Sequence, residues 1–170
     1  MSRLLFILGI IFLFNQCDNM TKVKEPNIKI QVRIIDKVDI DKFKDLGCLF
    51  YSAKIELLNN TDTLIKFWSM TCSWQDNWIS TSDSLRLFNE GCTRNFPKLL
   101  QFKPREKMVY NSIICVKQPL NSIKEKNVKF GFVLINEHEI SKDSEFDKVL
   151  SMKIKELKDI IWSEPFKIDK

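Results

Sequence analysis

The stretch from Leu49 to Trp74, LFYSAKIELLNNTDTLIKFWSMTCSW, constrains the fold more than any other part of the chain. Leu49, Tyr51, Ala53, Ile55 and Leu57 recur at every second position, and Ser52, Lys54 and Glu56 fill the gaps. That is the alternation of a strand with one face in a core. Asn59-Asn60-Thr61-Asp62 follows, side chains that bond their own backbone and tolerate left-handed conformations, and then Leu64, Ile65, Phe67 and Trp68. The stretch reads as strand, tight turn, strand, a hairpin-like unit.

Similar signals flank it. Asn27 to Ile35 alternates Ile28, Ile30, Val32 and Ile34 with Lys29, Gln31 and Arg33. Lys37 to Gly47 is a charged connection in which aspartates alternate with lysines without the spacing or glycine of a calcium loop. Trp78 to Thr81 and Ser84 to Phe88 are short strands interrupted by Ser82-Asp83. Lys107 to Val116 and Val128 to Ile135 are longer ones. In Ser141 to Asp159 the period changes to three or four, through Phe146, Val149, Leu150, Ile154 and Leu157, which predicts a helix capped by Ser144. Ile160 to Ile168 is a final edge strand broken at Pro165. Seven or more short strands with turn signals every eight to twelve residues predict an all-β antiparallel sandwich with a short helix before the last strand. At 170 residues and 44% apolar composition, one packed domain is expected.

The chain opens with Arg3 and an unbroken apolar run from Leu4 to Phe14. Eleven helical residues reach roughly 16 Å, short of the roughly 30 Å of a bilayer core. The run is therefore an export signal and not a membrane span. It ends in Asn15-Gln16-Cys17, which resembles the looser lipobox of Bacteroidetes-type bacterial lipoproteins. The resemblance implies that residues 1–16 are a lipoprotein signal peptide and that Cys17 carries a lipid anchor as the mature N-terminus. Residues 17–26 are then a polar tether, and residues 27–170 the domain. The expected location is the bacterial cell envelope, facing the periplasm or the cell surface.

In an oxidising compartment Cys48, Cys72, Cys92 and Cys115 form an even set that allows two disulfides in any of three connectivities. Zinc is not expected, because no CxxC pair is present and the single histidine is remote in sequence. Charge is uneven. Thr93 to Lys117 holds Arg94, Lys98, Lys103, Arg105, Lys107 and Lys117 against Glu106. Such a patch could face anionic lipid or polysaccharide, but a solvated strand edge protected by lysine is the better account.

The order of strand, Asn-Asn-Thr-Asp, strand, Cys-Ser-Trp, Cys-x-x-Asn-x-Pro and x-Leu-x-Phe-x-Pro-x-Glu, over Leu49 to Val116, resembles uncharacterised immunoglobulin-like lipoprotein domains of Bacteroidetes. It is similar, more distantly, to the intracellular proteinase inhibitor family. The resemblance implies an immunoglobulin-like sandwich and a Cys72–Cys92 bridge, which leaves Cys48 and Cys115 to pair between neighbouring strands. It also implies a tryptophan packed on the disulfide.

Trp68, Trp74 and Trp78 crowd together, and Trp74 and Trp78, in the polar run SWQDNWIST, are the candidates to face a ligand such as a glycan. His138 stands between Glu137 and Glu139, yet no serine or cysteine nucleophile carries a recognisable signature near it. Asp62-Thr63-Leu64 and Asp83-Ser84-Leu85 resemble the O-glycosylation signal of Bacteroidetes periplasmic proteins. The expectation is a non-enzymatic binding or structural accessory without cofactor or metal. Its partners are the membrane, through the anchor, and a protein, peptide or glycan; nucleic acid is not expected. A proteinase inhibitor and a glycan-binding module are the alternatives, with a hydrolase using His138 behind them.

Overall fold

A computed structural model describes residues 27–40, 47–117 and 128–168. Nine strands and a helix follow one another: β1 Ile28–Val38, β2 Cys48–Asn59, β3 Ile65–Met70, β4 Trp78–Ser80, β5 Leu85–Leu87, β6 Pro97–Phe102, β7 Lys107–Lys117, β8 Phe130–Val133, α1 Phe146–Glu156 and β9 Ile160–Trp162. The pairing is antiparallel throughout. One sheet has the order β1-β2-β7-β5. Opposite it, β3-β6 and β4-β8-β9 join through the Phe67–Asn136 bridge and the bond from Trp68 N to Ile135 O at 2.8 Å. The result is an all-β sandwich.

The alternation in β2 places Tyr51, Ala53, Ile55 and Leu57 inward, where they meet Ile114 and Val116 of β7 and the aromatic set Phe67, Phe102, Phe130 and Phe132 from the other layer. Phe67 lies edge-on to Phe132 with ring centroids 5.3 Å apart. Edge-to-face packing of this kind adds to the apolar area removed from water.

The hairpin expected at Asn59 to Asp62 does not form. β2 pairs with β1 and β7, whereas β3 pairs with β6, so the turn carries the chain from one layer to the other. Asn59 makes that crossing. Its side chain is fully buried, and Nδ2 reaches the carbonyls of Thr63, Phe102 and Lys103 at 2.9 to 3.0 Å. Its Oδ1 accepts from the backbone N–H and the hydroxyl of Thr61. These bonds satisfy the corner locally, leaving both flanking strands free to pair elsewhere.

The pair of short strands around Ser82-Asp83 also divides between layers, since β4 pairs with β8 and β5 with β7. β8 is the sequence FGFV, buried at every position. Phe130 and Phe132 enter the sandwich core, while Val133 joins a second cluster with Ile135, Ile140, Phe146 and Leu150 beneath α1. The helix therefore covers the outer face of the second layer. It starts at Phe146, after a 3-10 turn over Asp143–Glu145, and Ser144 does not cap it. The Glu145 carboxylate instead accepts from the N–H and hydroxyl of Ser141 and from the N–H of Lys142. Those bonds, the Ser141 N–H first, hold the Glu145 carboxyl below its usual range.

Candidate functional site

The outer face of the β1-β2-β7-β5 sheet has no helix over it among the described residues. There β1 breaks its alternation with a register shift between Ile34 and Asp36, and Ile35 turns outward, 61% exposed. Across the ladder, Ser52 of β2 lies directly opposite Ile113 of β7. These positions floor an open groove of about 490 Å³, with Asn111 at its lower end.

The wall comes from the segment after β5. Phe88 lies edge-on to Phe50, ring centroids 5.2 Å apart, and its N–H donates to Ile113 O at 2.7 Å. The chain then turns at Gly91, which has φ of 79° and whose N–H donates to Asn89 Oδ1 at 2.8 Å. Glycine adopts that backbone without the clash a Cβ would bring. Beyond it, Cys92 is bonded to Cys72, with Cα atoms 6.2 Å apart. Asn95 reinforces the join by accepting from the N–H groups of Cys72 and Ser73, both at 3.2 Å, and by donating to Ser73 Oγ, which also bonds Asp76. The wall is thus tied to the end of β3 by one covalent bond and several polar ones.

The second disulfide, Cys48–Cys115, links β2 to β7 on the same outer face, with Cα atoms 5.8 Å apart. Cys115 is fully buried and Cys92 is exposed. Both pairings are those expected. Two disulfides fit an oxidising, extracytoplasmic compartment. Among the described residues no helix is long and apolar enough to cross a membrane.

The tryptophans divide. Trp78 is 8% exposed and packs between Phe132 and Tyr110, so the expectation that it faces a ligand is corrected: strand β4 turns its side chain into the core. Trp74 is half-buried on the 3-10 turn Trp74–Asn77, its ring 4.4 Å from that of Tyr110 beside β7. Burial pushes the Tyr110 hydroxyl pKa up. Trp74 keeps part of its surface in reach of a ligand.

His138 is exposed on the 3-10 turn Glu137–Glu139. Its neighbours are engaged elsewhere, Glu137 with Lys66 at 3.0 Å and Glu139 with Lys153 at 2.7 Å. Among the described residues no group of three His, Cys, Asp or Glu side chains could hold a metal ion. The groove itself offers Glu90 as its single charged lining residue among those described, with Ser52, Gln75, Asn89, Asn111 and Ser112 as neutral polar groups. Such a lining suits binding through shape and hydrogen bonds. Thr63 and Ser84 of the two glycosylation-like triplets lie in turns, Thr63 exposed and Ser84 half-buried.

No protein-family model matches the chain, and no curated protein matches it. Among solved structures it is similar to the FixG-related protein from Vibrio parahaemolyticus, with 10% identity over 84% of this chain and 99% of the other, at a TM-score of 0.36. A likeness that slight carries no argument about function. The basic stretch is partly neutralised within the fold, because Arg105 pairs with Asp62 at 2.9 Å and Lys107 with Glu56 at 3.1 Å.

Sequence reasoning missed two features. One is the groove, whose signal is the doubled apolar pair Ile34-Ile35 and the run Ile113-Ile114-Cys115-Val116, apolar on both faces. The other is Lys153. Its side chain is 1% exposed, and Nζ donates to Leu134 O at 2.7 Å, Glu139 Oε2 at 2.7 Å and Asp159 Oδ2 at 2.8 Å. A lone lysine on a helical face gives no sign of this.

Proposed function

We propose that this chain is an exported lipoprotein of the bacterial cell envelope, held to the membrane through Cys17, whose sandwich is a non-enzymatic module that binds a polypeptide partner. One observation carries the reading. The chain has five cysteines, and Cys48–Cys115 and Cys72–Cys92 use four of them. Cys17, which follows the apolar run after Asn15 and Gln16, is the odd one. It lies outside the described residues, as do the tether and the connection from Pro119 to Lys126.

The finer architecture is read as immunoglobulin-like. The order β1-β2-β7-β5 against a layer built on β3, β6, β4, β8 and β9 supports that reading, with β2 and β7 as the paired central strands. A binding role is supported by the groove, which has Ile35, Ser52 and Ile113 in its floor, a polar rim with the one carboxylate Glu90, and a wall fixed by a disulfide. Rigid support of a loop is what recognition sites on such scaffolds use.

The test is the intact mass of protein extracted from its native membrane, before and after reduction. The expected result is loss of residues 1–16, an acyl-glyceryl increment that survives reduction, and a gain of four hydrogens on reduction. An unmodified thiol at Cys17 overturns the anchor. A protease panel showing inhibition would move the reading to a proteinase inhibitor, and glycan-array binding lost in Trp74→Ala would move it to a glycan-binding module.

A further inference from the structure

Strand β7 is eleven residues long, but β5 pairs only with Ile114, Cys115 and Val116. The bonds that extend this pairing are Lys117 N to Ser84 O and Phe88 N to Ile113 O, both made by odd-numbered residues of β7. Antiparallel ladders alternate, so odd residues aim their N–H and C=O groups at the β5 side and even residues aim theirs at β2. Continuing the alternation, Val109 and Asn111 present main-chain donors and acceptors to the side where β5 has already ended. Among the described residues no backbone bond reaches them from that side.

Edges of this kind are commonly blunted by lysine, proline or a bulge. From Met108 to Val116 the edge has none, and Val109 is 45% exposed. We infer that this edge is an acceptor for an extended polypeptide segment, added as a strand beside Val109–Asn111.

The surroundings define the segment's chemistry. On the outer face Lys107 is next to the open position, and it shares the single carboxylate Glu56 with Lys54, at 3.1 and 2.8 Å. Arg33 lies directly opposite Lys54, and Lys54 directly opposite Asn111; with Glu56 and Glu164 as the carboxylates beside Arg33, Lys54 and Lys107, positive charge exceeds negative by one across these rows. A carboxylate on the added strand, next to Lys107 on β7, gives that lysine a second partner. On the inner side the half-buried Trp74 and Met108 offer apolar surface. The fitting segment alternates apolar residues, turned toward Trp74, with acidic ones, turned toward Lys107. This deepens the binding role proposed above and is independent of the anchor, since an unmodified Cys17 would leave the outcome below unchanged.

The experiment selects binders to the purified full chain from a displayed library of random linear twelve-residue peptides. The expected peptides alternate apolar and acidic residues. Val109→Thr keeps their affinity, because the contact is to main chain, whereas Val109→Pro weakens it at least tenfold while keeping the fold, since proline is tolerated where the N–H faces solvent. Lys107→Glu also weakens it. In a second readout, amide exchange at Val109 and Asn111 in the unaltered protein slows at least tenfold on adding a selected peptide. Equal binding by Val109→Pro, equal loss in Val109→Thr, unslowed exchange at both amides, or an unenriched library overturns the proposal.

Discussion

Lys153→Met removes a buried cation while keeping most of the side-chain volume, and its cost can be worked from the three partners. Leu134 O loses its lysine donor in a buried setting, which costs about 1–3 kcal/mol. Glu139 keeps its bonds from the N–H and side chain of Asn136, at 2.6 and 3.1 Å, and is 21% exposed, so it retains part of its stabilisation. Asp159 is 42% exposed and rehydrates. The sum is about 2–4 kcal/mol, at the lower edge of what breaking a fully buried pair costs. At about 3 kcal/mol a domain of this size melts roughly 6–12 °C lower.

The pH dependence sharpens the test. For Glu139, burial raises the carboxyl pKa, but the bonds from Lys153 and Asn136 outweigh it and the net direction is down. For Asp159, the Lys153 hydrogen bond comes first and again the direction is down. Carboxyls depressed in the folded state contribute stability that is present above their unfolded pKa and lost as pH falls through the folded one. The unaltered protein should lose stability on acidification below the ordinary carboxylate range, and the methionine variant should lose less. Urea melts followed by tryptophan fluorescence at neutral pH and near pH 3 measure both quantities. A gap under about 1 kcal/mol at neutral pH, or one that stays constant on acidification, refutes the account.

Four further outcomes follow from the packing and the cysteines. Gly131→Ala would put a Cβ 2.6 Å from Ile160 Cγ2 and 2.9 Å from Trp162 Cε3 on the paired strand, so it should destabilise by about 1–3 kcal/mol in thermal melts, and Trp162→Ala in the same chain should recover part of that. Asn59→Ala removes the donor to three carbonyls at the crossover and should cost about 3 kcal/mol, with Asn59→Asp no better because a carboxylate cannot donate. On the chain-entropy estimate, losing Cys72–Cys92 should cost about 3 kcal/mol and losing Cys48–Cys115 about 4 kcal/mol, the order of their separations of 20 and 67 residues. Once both are reduced, alkylation at mild pH should mark the exposed Cys92 well before Cys48, whose thiol is pushed up to about 11 by burial and then by the hydrogen bond with Cys115.

Strand existence was legible because the apolar period survives in β1, β2 and β7, each of which has one face in the core. Layer assignment was not. The turn from Asn59 to Leu64 has the composition of a hairpin, and the difference lies in Asn59 bonding Phe102 and Lys103, more than forty positions away. Trp78 was misjudged because its neighbours are polar. Gln75 and Asp76 sit on a 3-10 turn outside the core, while Trp78, the first residue after that turn, begins a strand whose first side chain points inward. The cysteine pairing was legible only through family resemblance, since four cysteines alone leave three connectivities open. Lys153 was illegible in principle, because its partners come from β8's continuation, the Glu137–Glu139 turn and Asp159, and a tertiary meeting of that kind leaves no periodic trace.

The two outer faces of the sandwich differ, among the described residues, in what covers them, and the proposed binding surface rests on that difference. On the second layer, Trp68, Met70 and Ile79 turn outward, and Phe146, Leu150 and Ile154 of α1 close over that side. Lys153 fastens the helix there, and Asp159, held at φ of 51° in the left-handed region, delivers one of its carboxylates. Aspartate tolerates that backbone better than most residues, but the position still stores some strain, which the buried bond offsets. The first layer has no such cover among its described residues, yet it too turns apolar side chains outward at Ile35 and Ile113. A chain that had to hide those residues could have repeated the helix solution. Instead, among the described residues, the rim is braced by a disulfide and the groove stays open, the arrangement on which the proposed polypeptide partner rests.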